Sequence, residues 1–172
     1  MQQVALRKAL NEWDAVKAID WDTAVCLHAP KAMRASQQGW DAMWLSRVLR
    51  CYFNKVDKGI AKKANLKTTY HCKRLVMLEY QERVGWHCHF TTETPSLLSQ
   101  ERFHQTLQNH WLKLTKPYQQ TSFDGRLVWV EPLYGNYRHY STKGTFQQTR
   151  HFTGITTDNE KGIFDPHNSN FR

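Results

Sequence analysis

The chain has 172 residues, with 24 Lys plus Arg against 15 Asp plus Glu, a formal net charge of +9 and a pI near 9.5. That length favours one domain and leaves no room for an appended motor ATPase, and 40% hydrophobic with 23% charged residues excludes a disordered chain. The basic balance points to a polyanionic partner, nucleic acid first among them, against the plainer reading of a protein that is merely basic.

In chain order, residues 3–19 read as an amphipathic helix, with Val4, Leu6, Leu10, Trp13, Val16 and Ile19 on one stripe. Charges run through this segment without an apolar core, so it does not read as a signal peptide, and no stretch of about 18 apolar residues predicts a membrane helix. Residues 22–29 (DTAVCLHA) read as a strand stopped by Pro30. A long helical pattern from Ala32 to Val56 follows, with Trp40, Met43, Trp44, Val48, Leu49, Tyr52 and Phe53 as its apolar side. From Arg47 to Arg83 the chain carries ten Lys and Arg against three acids. Within that stretch Gly59–Tyr70 reads as a basic loop or a short helical extension. Lys62, Lys63, Lys67, Lys73 and Arg74 are candidate phosphate contacts, with a solvated surface as the alternative.

Arg74–Tyr80 (RLVMLEY) has the continuous apolar character of a buried strand. Polar Gln81–Gly85 turns it into a second strand, Trp86–Thr92 (WHCHFTT), to make a hairpin. Ser99–Leu114 reads as a helix with Ser99 as its N-cap and Glu101 in the first turn. Asp124-Gly125 is a turn, Arg126–Glu131 a strand ended by Pro132, and Tyr134–Lys143 a short helix stopped by Gly144. The tail, about 145–172, is polar, with one short strand expected near Phe152–Thr156 and loop elsewhere. This order predicts an α+β domain with a mainly antiparallel sheet flanked by helices. Several of the aromatic residues (seven Trp, seven Tyr, eight Phe) are expected in the core, most of the Trp among them, and those near basic residues to be available for stacking on bases.

Three groups of residues carry candidate chemistry. His87-Cys88-His89 puts two imidazoles on one face of a strand, a pair able to hold a divalent metal. Glu79 is the one acid in RLVMLEY, and a buried carboxylate needs a partner. Its number and those of His87 and His89 have the same parity, so all three share a face if the hairpin loop has an odd count or Gly85 forms a bulge. Two histidines and a carboxylate with open positions suit Mg²⁺ or Mn²⁺ acting on a phosphate. Third, Tyr140 and Lys143 stand at i, i+3 on the expected helix. A tyrosine can act as a covalent nucleophile, and a neighbouring ammonium favours its phenolate. Tyr134 and Tyr137 fall on much the same stripe and read first as packing residues.

Glu79, then His87-Cys88-His89, then Tyr140-Ser-Thr-Lys143, in that order, resembles the HUH endonucleases, and among them the catalytic domains of rolling-circle replication initiators. The resemblance covers about residues 22–143 of a single 1–172 domain. The match of Ala24–His28 to the first core-strand motif is poor, and Cys88 is acceptable at the hydrophobic position. It implies a central antiparallel sheet of about five strands, with Mg²⁺ or Mn²⁺ held by Glu79, His87 and His89. Tyr140 would be the nucleophile forming a 5′-phosphotyrosine, Lys143 would steady the phosphate, and Tyr137 is a second nucleophile in a two-tyrosine scheme. It further implies single-stranded DNA as substrate, with a stem-loop origin as a candidate target. The expected partners are a helicase and polymerase from the host or the element, and the expected location is intracellular, in a bacterial cytoplasm or the nucleus of an infected cell. No helicase domain follows within the chain, so a single-tyrosine transposase or a relaxase with the same chemistry stays open.

Three other readings compete. One is a non-enzymatic, basic nucleic-acid-binding module. Another is a structural Zn²⁺ site drawn from His71, Cys72, His87, Cys88 and His89, although the spacing does not fit zinc ribbons and no CxxC pair exists. The third is a metal-dependent nuclease without a covalent step. The four scattered cysteines read as free thiols.

Overall fold

The computed structural model describes residues 19–35, 42–65, 70–81, 85–119, 126–133, 163–165 and 168–170. Chain order is β1 (Thr23–His28), α1 (Lys31–Ala35), α2 (Ala42–Lys63), β2 (Arg74–Gln81), β3 (Gly85–Thr92), α3 (Gln100–Thr115), a 3₁₀ turn (Lys116–Tyr118), β4 (Val128–Pro132) and β5 (Ile163–Phe164). The class is α+β. An open antiparallel sheet has the order β4-β1-β3-β2, and the two residues of β5 pair along the outer side of β2.

The alternation of side chains in the strands decides which face is the core. Val25 and Leu27 of β1, Val76 and Leu78 of β2, Cys88 and Phe90 of β3, and Val128 and Val130 of β4 all point one way. They pack against Leu45, Leu49, Tyr52, Phe53, Val56 and Ile60 of α2 and Phe103, Leu107 and Trp111 of α3. Most of these side chains are fully buried, and the Tyr52 hydroxyl donates to the Leu107 carbonyl at 3.1 Å, so the ring brings its polar atom into the core with a partner. On the other face Leu75 packs with Ile19, Trp21 and partly buried Leu133. That covering on both sides explains why β2 reads as a continuous apolar run.

The two helices start and stop for local reasons. Ser99 caps α3, its Oγ accepting from the Arg102 amide at 3.4 Å, and Glu101 sits in the first turn as expected. α2 runs seven residues beyond the expected end at Val56, through Lys63, because Val56, Ile60 and Ala61 continue its buried stripe. The basic segment after Gly59 thus begins as helix. Residues 36–41, inside the single helix expected over 32–56, lie outside the described residues, as do those of the expected helix 3–19 up to residue 18.

Asp57, also on the buried side of α2, organises a polar cluster at the start of β2. Its carboxylate accepts from Arg74 Nη1 (2.8 and 3.0 Å), Arg74 Nη2 (3.0 Å) and the Cys72 amide (3.2 Å), and pairs with His71 Nδ1 (3.0 Å). Arg74 also donates from Nε to the Asn168 carbonyl at 2.8 Å and lies over the Phe53 ring at 4.3 Å. Next to it, residues 163–165 and 168–170 line β2 as a strap. Asp165 N donates to Val76 O, Arg74 and Asn170 exchange backbone hydrogen bonds, and the Asn168 amide reaches Ser46 on α2. The expected tail strand at 152–156 lies outside the described residues, so β5 is an unexpected element. No helix among the described residues is long and apolar enough to cross a membrane.

Candidate metal centre

The hairpin register builds the centre. Residues 82–84 connect Gln81 to Gly85, an odd count, and the pairing runs without a bulge, so Glu79 faces His87 directly and Met77 faces His89. Gly85 closes the connection at φ 76°, a conformation that glycine adopts without steric cost. β1 lies on the other side of β3 and sets Cys26 opposite His89 and His28 opposite His87; on its far side Cys26 pairs with Trp129. Glu79, His87, His89, Cys26, His28 and Trp129 therefore share the sheet face that α2 and α3 do not cover.

Three of these side chains converge. Glu79 Oε2 lies 3.8 Å from His87 Nε2 and 3.6 Å from His89 Nε2, and the three ligand atoms fall within 4.8 Å of one another. Nitrogen and oxygen ligands about 2.1 Å from a shared cation stand about 3.4 Å apart at a tetrahedral angle. The two Glu79 spacings are a few tenths of an ångström wider, and the donor set suits a divalent ion. The side chains of Glu79, His87 and His89 are 18%, 7% and 13% exposed, which shields a bound ion from bulk water while leaving a way in.

His87 is held in the form that a ligand needs. Its Nδ1 lies 3.0 Å from the Gly85 carbonyl. A carbonyl only accepts, so Nδ1 carries the proton and Nε2 presents its lone pair to Glu79 and His89. Burial lowers the His87 pKa from its ordinary value, with the Gly85 hydrogen bond opposing part of that shift, so the imidazole is neutral at physiological pH. From the core side, Trp111 Nε1 donates to the His28 carbonyl at 3.0 Å and pins the end of β1 beside the centre.

Cys26 and His28 were not singled out in the sequence as site residues, yet they adjoin the cluster. Cys26 Sγ lies 3.2 Å from His28 Nε2 and 3.8 Å from His89 Nε2. Burial, reinforced by the Glu79 carboxylate, pushes the Cys26 thiol up to about 12, so it stays protonated without a cation. The His28 ring stands 5.1 Å from that of His87 and 4.7 Å from the Trp129 indole, over which Arg126 lies at 5.8 Å. A local sequence signal could not reveal this neighbourhood, because it depends on β1 pairing with β3.

The other expected site residues are placed differently. Arg74 is a correction: it is 7% exposed and its guanidinium is bound to Asp57 and Asn168, so it holds the fold together instead of contacting phosphate. Lys62 and Lys63 are exposed on α2, in the layer behind the sheet, and Lys63 Nζ donates to Thr106 Oγ1 at 2.9 Å. Lys73 pairs with Glu93 at 3.2 Å, six residues along the chain from Glu79. The zinc grouping of His71, Cys72, His87, Cys88 and His89 is also corrected. Cys88 points into the core, and His71 and Cys72 gather at Asp57 instead. None of the four cysteines is in a disulfide. Tyr137, Tyr140, Lys143 and Lys67 lie outside the described residues. Comparison with protein-family models, curated proteins and solved structures finds no match to this chain.

Proposed function

We propose that the chain is a metal-dependent, sequence-specific single-strand DNA endonuclease and strand transferase of the HUH type, initiating rolling-circle replication. The observation that carries this is the convergence of Glu79, His87 and His89 on adjacent strands, their ligand atoms within 4.8 Å on the face away from the helices. Under this reading the four-stranded sheet with β5 at its edge corresponds to the five-stranded sheet of that fold.

Glu79, His87 and His89 would hold Mg²⁺ or Mn²⁺, which when bound neutralises charge on the scissile phosphate and makes its phosphorus more electrophilic. Tyr140 supplies the nucleophile. Its oxygen bonds to phosphorus while the bond from phosphorus to the 3′ oxygen breaks. The phenol proton passes to solvent, the 3′ oxygen leaves as a hydroxyl after taking up a proton, and a 5′-phosphotyrosine remains. Since one phosphodiester replaces another, attack by a 3′ hydroxyl reverses the step and joins strands. Lys143 steadies the phenolate and the phosphate, and Tyr137 is the second nucleophile if strands are handed over. Lys62, Lys63, Lys67 and Lys73 contribute backbone attraction along the single strand. A stem-loop origin and a separate helicase and polymerase complete the proposed setting, inside a bacterial or infected cell.

The test is a denaturing gel of the protein incubated with randomised single-stranded oligonucleotides and Mn²⁺, followed by mass spectrometry of the modified peptide. A DNA adduct on Tyr140 that disappears with EDTA and in Tyr140→Phe is the expected result. An adduct on Tyr137 moves the nucleophile. Cleavage that persists undiminished in Tyr140→Phe with no adduct favours a nuclease without a covalent step. Salt-sensitive binding with no cleavage of any oligonucleotide favours the binding-module reading.

A further inference from the structure

The helix layer carries a charge pattern that the cation centre does not use. On α2, Arg47, Arg50, Lys55, Lys58, Lys62 and Lys63 are all exposed, and the one acid of that helix, Asp57, is turned inward. At 1.5 Å per residue these cations run along about 24 Å of helix. α3 closes against α2 at Gly59, where a Cβ would fall 2.7 Å from His110 Nε2. Burial lowers the His110 pKa, and Lys63, Lys113 and Lys55 lower it further, so ammonium groups from both helices gather at this seam. The acid of α3, Glu101, lies in its first turn, about two and a half turns from His110, and accepts from Gln105 at 3.3 Å. Apolar and aromatic groups are scarce on the same face. Trp44, Tyr52 and Phe53 of α2 and Phe103 and Trp111 of α3 are buried, and the exposed large apolar side chains of the two helices are Met43 and Leu112. A helix that lies on a membrane buries a continuous apolar face, and single-strand binders stack bases on aromatic rings. A row of cations with neither suits a stiff polyanion whose bases are already stacked and which is touched through its phosphates alone.

We infer that the outer face of α2, together with Lys113 of α3, docks the phosphate backbone of double-stranded DNA irrespective of its sequence. The 22 residues of α2 span about 33 Å, close to one turn of the duplex. Arg47, Arg50, Lys55 and Lys58 meet phosphates along that turn, Lys113 adds a contact from the seam, and Lys62 and Lys63 extend the row. The surface lies behind the sheet, on the side away from Glu79, His87 and His89. A duplex held there leaves the cation face free, so one chain can hold a double-stranded segment and a single strand at once. This goes beyond the proposed cleavage and does not need its cation.

Fluorescence anisotropy of a labelled duplex two turns long, titrated with the full chain in EDTA over a series of salt concentrations, tests this. The expected result is binding whose logarithm falls steeply with that of the salt concentration. Replacing Arg50, Lys55 and Lys58 together by Gln reduces that slope by about 2–3, while the circular dichroism spectrum and the urea midpoint hold. Cys51 is a native reporter, being exposed within the row, whereas Cys72 and Cys88 are buried and the Cys26 thiol is pushed up to about 12. Its alkylation by iodoacetamide slows in proportion to duplex occupancy. Absence of duplex binding at low salt overturns the inference. So does binding whose salt slope the triple variant leaves unchanged and which does not protect Cys51, because the backbone is then held elsewhere. A single strand of the same length that protects Cys51 better than the duplex overturns it too, as do phosphatidylserine–phosphatidylcholine vesicles that protect Cys51 where the duplex does not. All of these are read without metal, so they leave the test of Tyr140 untouched, and failure of that test leaves this surface standing.

Discussion

Removing the Asp57 carboxylate is the most demanding test of how this fold supports its candidate centre. Asp57 is 3% exposed, and Arg74, at 7%, directs three of its hydrogen bonds to it. In Asp57→Ala the guanidinium keeps only the Asn168 carbonyl and the Phe53 ring of the partners described above, and the Cys72 amide loses its acceptor. Breaking one side of a buried pair costs about 3–5 kcal/mol, because the remaining charge is left without compensation. With a urea dependence of about 2 kcal/mol per molar for a domain of this size, the unfolding midpoint falls by roughly 1.5–2.5 M. Equilibrium urea unfolding followed by circular dichroism reads this directly. The double variant Asp57→Leu with Arg74→Met removes both charges and recovers most of the loss, since apolar replacement of a buried pair is about neutral or stabilising. A drop of less than about 1 kcal/mol in the single variant, or no recovery in the double, refutes the assignment of Arg74 to the interior.

Three further outcomes are expected. Mn²⁺ at a hundred times its dissociation constant raises stability by about 2.7 kcal/mol. Glu79→Gln, His87→Ala and His89→Ala each abolish the resulting shift in thermal midpoint while retaining a folded metal-free state, and an undiminished shift in any of them removes that residue from the centre. Acid weakens the metal-free fold. His87, His104 and His110 all have pKa values lowered by burial, opposed by Gly85 at His87 and by Asp22 at His104, and reinforced at His110 by Lys63, Lys113 and Lys55. The unfolded chain therefore binds more protons below about pH 6.5, and stability drops as pH falls from there through the lower folded values; a flat profile between pH 7 and 5 contradicts it. Trp111→Phe loses the bond to the His28 carbonyl and leaves space in the core, at a cost of about 2–4 kcal/mol by chemical unfolding.

Local pattern was enough for much of this architecture. The periodicity of Thr23–His28, Arg74–Gln81, Gly85–Thr92 and Val128–Pro132, and the cap at Ser99, mark elements within two residues of their observed bounds. Parity put Glu79, His87 and His89 on one face on condition of an odd loop count, which the Gln81↔Gly85 pairing meets, because hairpin register is a counting problem. What escaped is non-local. Arg74 looks like any basic residue until Asp57, on a helix turned toward it, supplies its partner. Asp57 is itself just past the expected helix end at Val56, beside a basic stretch that reads as loop or short helical extension, and Val56, Ile60 and Ala61 carry the helix on through it. Cys26 and His28 joined the centre only once β1 was known to lie beside β3. The strap of residues 163–165 and 168–170 carries no periodicity, being held largely by backbone hydrogen bonds and by the side chains of Asn168 and Ser169.

That strap has a consequence for the order of events in folding. Its bonds to β2 join residues 93 and 94 positions apart, so loop closure must come before they can contribute. During synthesis the outer edge of the strand that carries Glu79 lacks these partners until residues 163–165 and 168–170 have emerged. Over that interval a hydrophobic strand of eight residues presents unpaired amides and carbonyls to any other nascent chain. A chain shortened before Ile163 should therefore aggregate through this edge, even with Glu79, His87 and His89 all present.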